Sequence, residues 1–266
     1  MDYFTRIEKK PNDDLSWNIP EKKQGTVNVI GGNGQSFKTE IKVAEFLGEK
    51  YPIETINLIL PDSLKNNLPN LPNFHFLPST ESGSFAESQE LIDVFNTADF
   101  NLVIGDLSKN SITKTALSGA YKSSDSKNGG AGKMSLITRD GIEVVTETQP
   151  ERILMNENLI LLASMPQLIK LLRAAYYPKM LLLSQSLVQV AEVLHKFTLS
   201  YPVGVITLHN EQILIAKDGR VVSIPLEKST YTPLSLWQGE CAAKIIALNL
   251  YNPNNFINAT INAIFS

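Results

Sequence analysis

The stretch TVNVIGGNGQSFKTEIKVAEFL, residues 26–47, contains the local pattern that decides the fold. Its first five residues are mostly β-branched and predict a short strand, which ends at Gly31 and Gly32. Apolar residues then recur at helical spacing from Ile41 to Leu47. The stretch therefore predicts a strand, a glycine loop and a helix in succession, which is the unit from which parallel sheets are built.

The same alternation continues along the chain. Further strand-like runs lie at residues 54–60, 74–77, 101–104, 134–137 and 159–162, and helical spacing is found at 88–95, 167–173 and 181–197. This order is typical of an α/β fold with a central, mainly parallel sheet and helices on both faces, in which ligands bind at the carboxyl ends of the strands. Residues 205–224 predict a small β-hairpin excursion, and residues 118–133 predict a surface loop.

Composition limits the classes of function. A chain of 266 residues with 43% hydrophobic residues is long enough for one large domain with an extensive core. The net charge of −3 and the scattered lysines argue against nucleic-acid binding. Cys241 has no partner for a disulfide, and the histidines lack metal-ligand spacing. No run is apolar enough for a signal peptide or membrane span, so we expect a cytoplasmic protein without a membrane partner.

A second informative stretch is WQGECAAKIIA, residues 237–247. It combines a glycine turn, the acid Glu240 and an apolar helix. Backbone N–H groups at a helix start attract phosphate oxygens, and an acid beside them can move a proton. The alternative is that Gly239 ends a loop and Glu240 occupies a first helical turn for reasons of the helix dipole alone.

In the order of these segments the chain resembles the ribokinase-like superfamily, and most closely its ATP- or ADP-dependent NAD(P)H-hydrate dehydratases. The segment KKQGTVNVIGGN, residues 22–33, is similar to the family's H-K-G-x-x-G-x-V-L-V-I-G-G-S pattern, and residues 237–247 are similar to its G-[ST]-G-D-V-L-A-G-I-I-A pattern. Weaker similarities lie at residues 98–108, 136–142 and 206–221. The resemblance implies a single three-layer α/β domain over residues 22–266, after an N-terminal extension of residues 1–21.

The resemblance also implies a function and a set of site residues. It implies a lyase of metabolite repair that uses ATP or ADP, with Mg²⁺ as a candidate cofactor, to remove water from hydrated NADH or NADPH. Glu240 is the implied catalytic acid. The implied nucleotide-binding residues are His209, Asn210, Gln238 and Gly239. The implied substrate-binding residues are Gly31, Gly32, Asn33, Gly105 and Asp140.

Several positions depart from the family pattern. Trp237 and Gln238 replace a glycine and a hydroxyl residue of the anion site, and His209 and Asn210 replace a lysine and a glycine. Three functions therefore stay open: a divergent dehydratase, a non-catalytic binding protein, and a small-molecule kinase in which Glu240 is the base that activates a substrate hydroxyl. Self-association into a homo-oligomer stays open as well.

Rival phosphate-binding patterns are incomplete. Residues 32–39 differ from the P-loop pattern G-x-x-x-x-G-K-[ST] at one position, where Phe37 replaces the glycine whose flexibility lets backbone amides surround a phosphate. The alternative interpretation places Lys38 and Glu40 in a solvated first helical turn. The Rossmann pattern is only half present, and the chain has no G-x-S-x-G nucleophile segment.

Overall fold

The computed structural model describes residues 2–10, 18–69, 71–107, 109–123 and 133–266. Strands of this part of the chain are β1 (Phe4–Arg6), β2 (Thr26–Ile30), β3 (Thr55–Pro61), β4 (Phe74–Leu77), β5 (Phe100–Val103), β6 (Met134–Thr138), β7 (Leu159–Leu162), β8 (Gly204–His209), β9 (Gln212–Lys217) and β10 (Arg220–Pro225). They form one ten-stranded sheet in the order β1-β10-β9-β8-β7-β6-β5-β2-β3-β4.

The sheet is mainly parallel. Among the described strands only β9 runs antiparallel to its neighbours, β8 and β10. In the centre, Val29 of β2 lies opposite Leu58 of β3 and Leu102 of β5. This register places the carboxyl ends of β2 and β5 side by side, so the loops that follow them meet at one edge of the sheet.

Helices cover both faces of the sheet. They are α1 (Lys38–Lys50), α2 (Gln89–Thr97), α3 (Ser111–Ser123), α4 (Asp140–Glu147), α5 (Pro150–Ile153), α6 (Met165–Ala174), α7 (Leu187–Ser200), α8 (Glu240–Tyr251) and α9 (Phe256–Phe265). Helices α1, α8 and α9 contribute to one core, and α2–α7 contribute to the other. Because strand side chains alternate between faces, Val29 packs in the first core and Ile30 in the second. The predicted three-layer α/β fold is confirmed.

The predicted hairpin strands at residues 205–224 form, but they belong to the central sheet, so the prediction of an excursion from it was wrong. Strand β8 pairs with β7, and β9 and β10 continue the same sheet outward. Helix α7 covers these strands on one face and α9 covers β9 on the other. Burial on both faces keeps them in the sheet, and a sequence pattern of short apolar runs does not reveal such a cover.

Two segments differ in extent from the predictions, and one strand near the N-terminus was not predicted. Helix α7 begins at Leu187 rather than at residue 181, because Ser186 and Gln189 form a capping box. Helix α3 continues to Ser123, and residues 124–132 of the predicted loop lie outside the described residues. Near the N-terminus, β1 adds to the sheet edge beside β10. None of the described helices has the length and apolarity needed to cross a bilayer.

Candidate functional site

A cavity of about 710 Å³ lies between α1 and the start of α8. Its walls come from α1, from the end of β6 and from the segment that leads into α8. The lining residues are Thr39, Lys42, Val43, Phe46, Arg139, Leu234, Ser235, Trp237, Gln238 and Glu240. Because Arg139 directly follows β6, the cavity lies at the carboxyl ends of the strands, where the sequence predicts a ligand.

Gly239 allows α8 to begin close to α1. Its φ of 98° is in the left-handed region, and a Cβ atom at this position would lie 2.6 Å from Val43 Cγ2. Only glycine fits both conditions without strain. Gln238 and Glu240, on either side of Gly239, both line the cavity. The N–H groups of the first helical turn have no intrahelical acceptor, so the cavity borders a site that favours anions.

Glu240 is accessible to solvent and to a ligand. Its side chain is 55% exposed, and its Oε1 lies 3.2 Å from Nζ of Lys244, one helical turn later. Lys244 also donates a hydrogen bond to the backbone carbonyl of Ser266 and lies over the ring of Tyr231. The Lys244 side chain is only 14% exposed, but the Glu240 end of the pair is open to solvent, so the carboxylate can also contact a ligand in the cavity.

The cavity walls differ in chemistry. Phe46, Trp237 and the largely exposed Leu234 supply an aromatic and apolar wall. Lys42 and Arg139 supply cations on the same cavity. This combination suits a ligand that has both a planar apolar part and an anionic part.

Arg139 belongs to a hydrogen-bonded network that joins three loops. Its Nη2 lies 2.6 Å from Asp106 Oδ1, and its Nη1 lies 3.5 Å from Thr39 Oγ1. Ser36 Oγ donates to the second carboxylate oxygen of Asp106 at 2.7 Å. The Asn33 side-chain amide donates to the Asp106 backbone carbonyl at 2.9 Å. Asp106 therefore connects the loops that follow β2, β5 and β6.

The backbone of Arg139 is strained. Its φ is 53° and its ψ is −125°, a region that residues with a Cβ atom rarely adopt. Such a conformation costs on the order of 1–3 kcal/mol and is often found at functional sites. The Gln167 side chain donates to the Arg139 carbonyl at 2.9 Å and supports this geometry. No motif in the sequence marks Arg139 as a site residue, although its position directly after a parallel strand is a signal for one.

Glu40 is a second residue whose position differs from the sequence-based prediction. The expectation of a solvated first turn is correct for the exposed Lys38, but Glu40 is only 1% exposed. Its Oε1 has no hydrogen-bond partner among the described residues. Burial raises the pKa of Glu40 to about 7, and the nearby Asp106 carboxylate adds to the rise while the Arg139 guanidinium opposes it. The carboxyl group is thus held beside the Asp106–Arg139 pair.

Comparison with known proteins gives the fold but no sequence family. The sequence matches no protein-family model and no curated protein. A ribokinase-like superfamily protein of Enterococcus faecalis has a solved structure with a TM-score of 0.63 and 14% identity, which covers 100% of this chain and 86% of that chain. The chain has the ribokinase-like fold.

Two other solved structures share this ribokinase-like fold. YxkO of Bacillus subtilis, a member of the UPF0031 family, has a TM-score of 0.58 at 12% identity, covering 97% of this chain and 87% of its own. Adenosine kinase of Anopheles gambiae, in complex with a di(adenosine) tetraphosphate, has a TM-score of 0.55 at 10% identity, covering 98% and 90%. Identities this low establish the fold alone.

Within this ribokinase-like fold, the residues predicted to bind substrate lie together at the ends of β2, β5 and β6. Gly31 and Gly105 are buried, and a Cβ atom on Gly31 would lie 1.8 Å from the Ile104 carbonyl oxygen. Asp140 accepts a hydrogen bond from the Leu107 N–H group, and burial raises the pKa of its carboxyl. These contacts give Gly31, Gly105 and Asp140 roles in joining the loops.

Gly32 and Asn33 continue this group of residues. Gly32 has a φ of 85°, and the Asn33 side chain accepts hydrogen bonds from the N–H groups of Gln35 and Ser36. Both residues shape the turn between β2 and α1. Among the described residues, His, Cys, Asp and Glu side chains form no group of three suited to a metal ion.

The predicted nucleotide-binding residues divide into two groups. Gln238 and Gly239 lie beside Glu240 at the cavity. His209 is 4% exposed, and its Nε2 lies 2.8 Å from the Gln185 carbonyl oxygen. Asn210, with a φ of 46°, forms the turn between β8 and β9. His209 and Asn210 are not among the residues that line the Glu240 cavity.

Proposed function

We propose that this chain binds a nucleotide in the cavity between α1 and α8 and uses Glu240 to transfer a proton to or from a small-molecule substrate. The two unlike walls of the cavity are the observation that carries the proposal. The base of a nucleotide is planar and can stack on Trp237 or Phe46, whereas its phosphates are anions that pair with Lys42 and Arg139.

The start of α8 adds to this complementarity. The positive end of the α8 dipole and its free first-turn N–H groups favour a phosphate beside Gly239. Glu240, in the same turn, would then lie next to the reacting oxygen. A carboxylate in that position can accept a proton from a hydroxyl group or, when protonated, return one to a leaving hydroxyl.

The sequence resemblance favours dehydration as the reaction. In that reaction protonated Glu240 would donate a proton to the hydroxyl group of hydrated NADH or NADPH, which leaves as water, and the adjacent ring carbon would lose a proton as the double bond forms. ATP or ADP would occupy the nucleotide site. The likeness to adenosine kinase favours a second candidate, phosphoryl transfer from ATP to a small-molecule hydroxyl, in which Glu240 accepts the hydroxyl proton. Both candidates place Glu240 at the hydroxyl oxygen of the substrate, so the position of Glu240 does not separate them. Analysis of the reaction products does.

The first experiment is a calorimetric titration of ATP and ADP, with Mg²⁺, into the wild-type protein and Glu240→Gln. We expect one saturable site in both proteins, because glutamine keeps the shape of the side chain and removes a negative charge near the phosphates. Water loss from hydrated NADH, or phosphate transfer from ATP, should fall by about 100-fold or more in Glu240→Gln.

The control is Glu227→Gln, which removes an exposed acid outside the cavity and should retain wild-type binding and turnover. Absence of nucleotide binding by the wild-type protein up to millimolar concentration would contradict the proposal. That result would leave a non-catalytic binding protein, with Trp237 filling the space that a phosphate needs.

A further inference from the structure

A second cavity, of about 320 Å³, lies at the amino ends of the strands, at the opposite edge of the sheet from the Glu240 cavity. We call it the amino-end cavity. It is formed by the starts of β2, β5 and β6 and by the end of α8. Its described lining residues are Gln24, Gly25, Asp99, Phe100, Lys133, Met134, Asn249, Leu250, Tyr251 and Pro253. Because Glu240 begins α8 and Asn249 lies near its end, about 14 Å of helix separates the two cavities.

The walls of the amino-end cavity are suited to an uncharged ligand. Phe100 and Leu250 contribute apolar surface. The two charged residues of the described lining are Asp99 and Lys133, and they pair with each other, with 3.5 Å between Asp99 Oδ1 and Lys133 Nζ. The second oxygen of Asp99 accepts a hydrogen bond from the Thr26 N–H group at 2.9 Å. A charged ligand would therefore have to compete for partners that these two residues already have.

Asn249 is the polar residue that distinguishes this cavity from an ordinary gap in the core. It is fully buried near the end of an otherwise apolar helix. Its Nδ2 donates to the Ile245 carbonyl at 2.8 Å and lies 3.5 Å from Thr260 Oγ1. Its Oδ1 accepts no hydrogen bond from the described residues. A buried amide oxygen without a donor is unfavourable, so a ligand that supplies an N–H or O–H group gains free energy here.

We propose that the amino-end cavity binds a small, neutral aromatic molecule whose N–H or O–H group donates a hydrogen bond to Asn249 Oδ1. Phe100, Tyr251 and the Met134 thioether are partners that aromatic rings favour. Met134 and Pro253 also line a neighbouring cavity of about 470 Å³, which leaves room for a substituent on the ring. The inference does not depend on the proposed function, because it concerns a different set of residues.

Indole is the probe for the test, since it is planar, apolar and has a single N–H donor. 1-Methylindole is its matched control, because it keeps the ring and lacks the donor. Ligand-observed NMR titrations of both molecules into the wild-type protein measure affinities in the millimolar range. We expect saturable binding of indole and at least tenfold weaker binding of 1-methylindole, because the latter leaves Asn249 Oδ1 without a donor.

Asn249→Leu tests whether this residue is the acceptor. In that variant the preference for indole over 1-methylindole should fall to about twofold or less. Asn96→Leu is the matched control, because Asn96 is an exposed asparagine near the end of α2 whose side chain also donates to the carbonyl four residues earlier. It should keep the wild-type preference. The melting temperature of each variant shows whether it is folded.

Trp237→Ala tests where indole binds, since Trp237 is an aromatic residue of the Glu240 cavity. Indole affinity should be unchanged in this variant if the amino-end cavity is the site.

Three results would overturn the inference. The first is absence of indole binding by the wild-type protein up to millimolar concentration, which would mean that water alone satisfies Asn249. The second is equal affinity for indole and 1-methylindole in the wild-type protein, a comparison that needs no variant and stays decisive if Asn249→Leu fails to fold. The third is loss of indole binding in folded Trp237→Ala. Nucleotide titrations are independent of all three, so this inference and the proposed function can fail separately.

Discussion

Oε1 of Glu40 occupies the space that a side chain at Gly105 would need. A Cβ atom on Gly105 would lie 1.7 Å from Glu40 Oε1, and the φ of Gly105 is 92°. Glu40 lies in α1, which follows β2, and Gly105 lies in the loop after β5. Because β2 and β5 are neighbours in the sheet, this contact joins the segments that follow two central strands. Residue 105 therefore has to be glycine while Glu40 stays in place.

Gly105→Ala should destabilise the protein by about 2–3 kcal/mol, because it combines overpacking with a strained backbone. Urea unfolding of both proteins measures the difference. Gly119→Ala is the matched control, since nothing lies within 4 Å of a Cβ atom at this helical position. That substitution should stabilise the protein by about 0.5–1 kcal/mol. Equal stability of Gly105→Ala and wild type would show that Glu40 is not held against Gly105.

Glu40 should make stability depend on pH. Its pKa is raised from 4.5 to about 7 in the folded protein, so the folded state keeps its proton in a range where the unfolded state loses it. The native state then binds more protons, and stability falls as pH rises from 4.5 to about 7. The loss has an upper limit of about 3 kcal/mol.

Glu40→Gln removes this titration and should gain stability relative to wild type as the pH rises. Urea unfolding of both proteins at pH values below and above this range measures the change. Glu45→Gln, an exposed position on the same helix, is the control and should not reproduce the gain. A constant difference between wild type and Glu40→Gln at all pH values would refute the assignment.

His209 connects the end of β8 to the segment before α7. Loss of its hydrogen bond to the Gln185 carbonyl in His209→Ala should cost about 1–3 kcal/mol, because it leaves a partly buried carbonyl without its partner. His75→Ala, at an exposed position, should change stability by less than about 0.5 kcal/mol.

The same variant tests the predicted nucleotide contact of His209. We expect nucleotide affinity to stay within about twofold of wild type, because His209 does not line the Glu240 cavity. A large loss of affinity in folded His209→Ala would instead support the nucleotide-binding role that the sequence resemblance implies.

Cys241 should be unreactive in the folded protein. It is fully buried in the first turn of α8, and burial raises the pKa of its thiol to about 12. At pH 8 a thiol reagent should therefore label Cys241 in the native protein only at the rate at which the protein unfolds locally. In denaturant it should label one thiol per chain. In Cys241→Ala with Ser200→Cys, the new thiol is at an exposed position and should react at once.

Local patterns determined much of the fold. The β-branched run before Gly31 forms β2, and the short runs at residues 74–77 and 159–162 form β4 and β7. The alternation of such runs with amphipathic segments correctly predicted a mainly parallel sheet with helices on both faces. Strand and helix periodicity are properties of a few neighbouring residues, so they can be read from the sequence alone.

The sequence also pointed to the start of α8. A glycine followed by an acid and an apolar helix indicated a phosphate-type site, and the structure places Glu240 on a cavity beside Gly239. Those two residues are neighbours in the chain. Their geometry therefore depends mainly on a local turn, which a sequence motif can describe.

Only the tertiary structure decided the rest of the site. The local sequence around Glu40 predicts a solvated first helical turn, but Gly31 and Gly105 pack closely against its carboxyl group and bury it. Arg139 and Asp106 are 33 residues apart and meet only because β5 and β6 are neighbours in the sheet. Burial and charge pairing depend on which strands lie side by side, and periodicity along the chain contains no information about that arrangement.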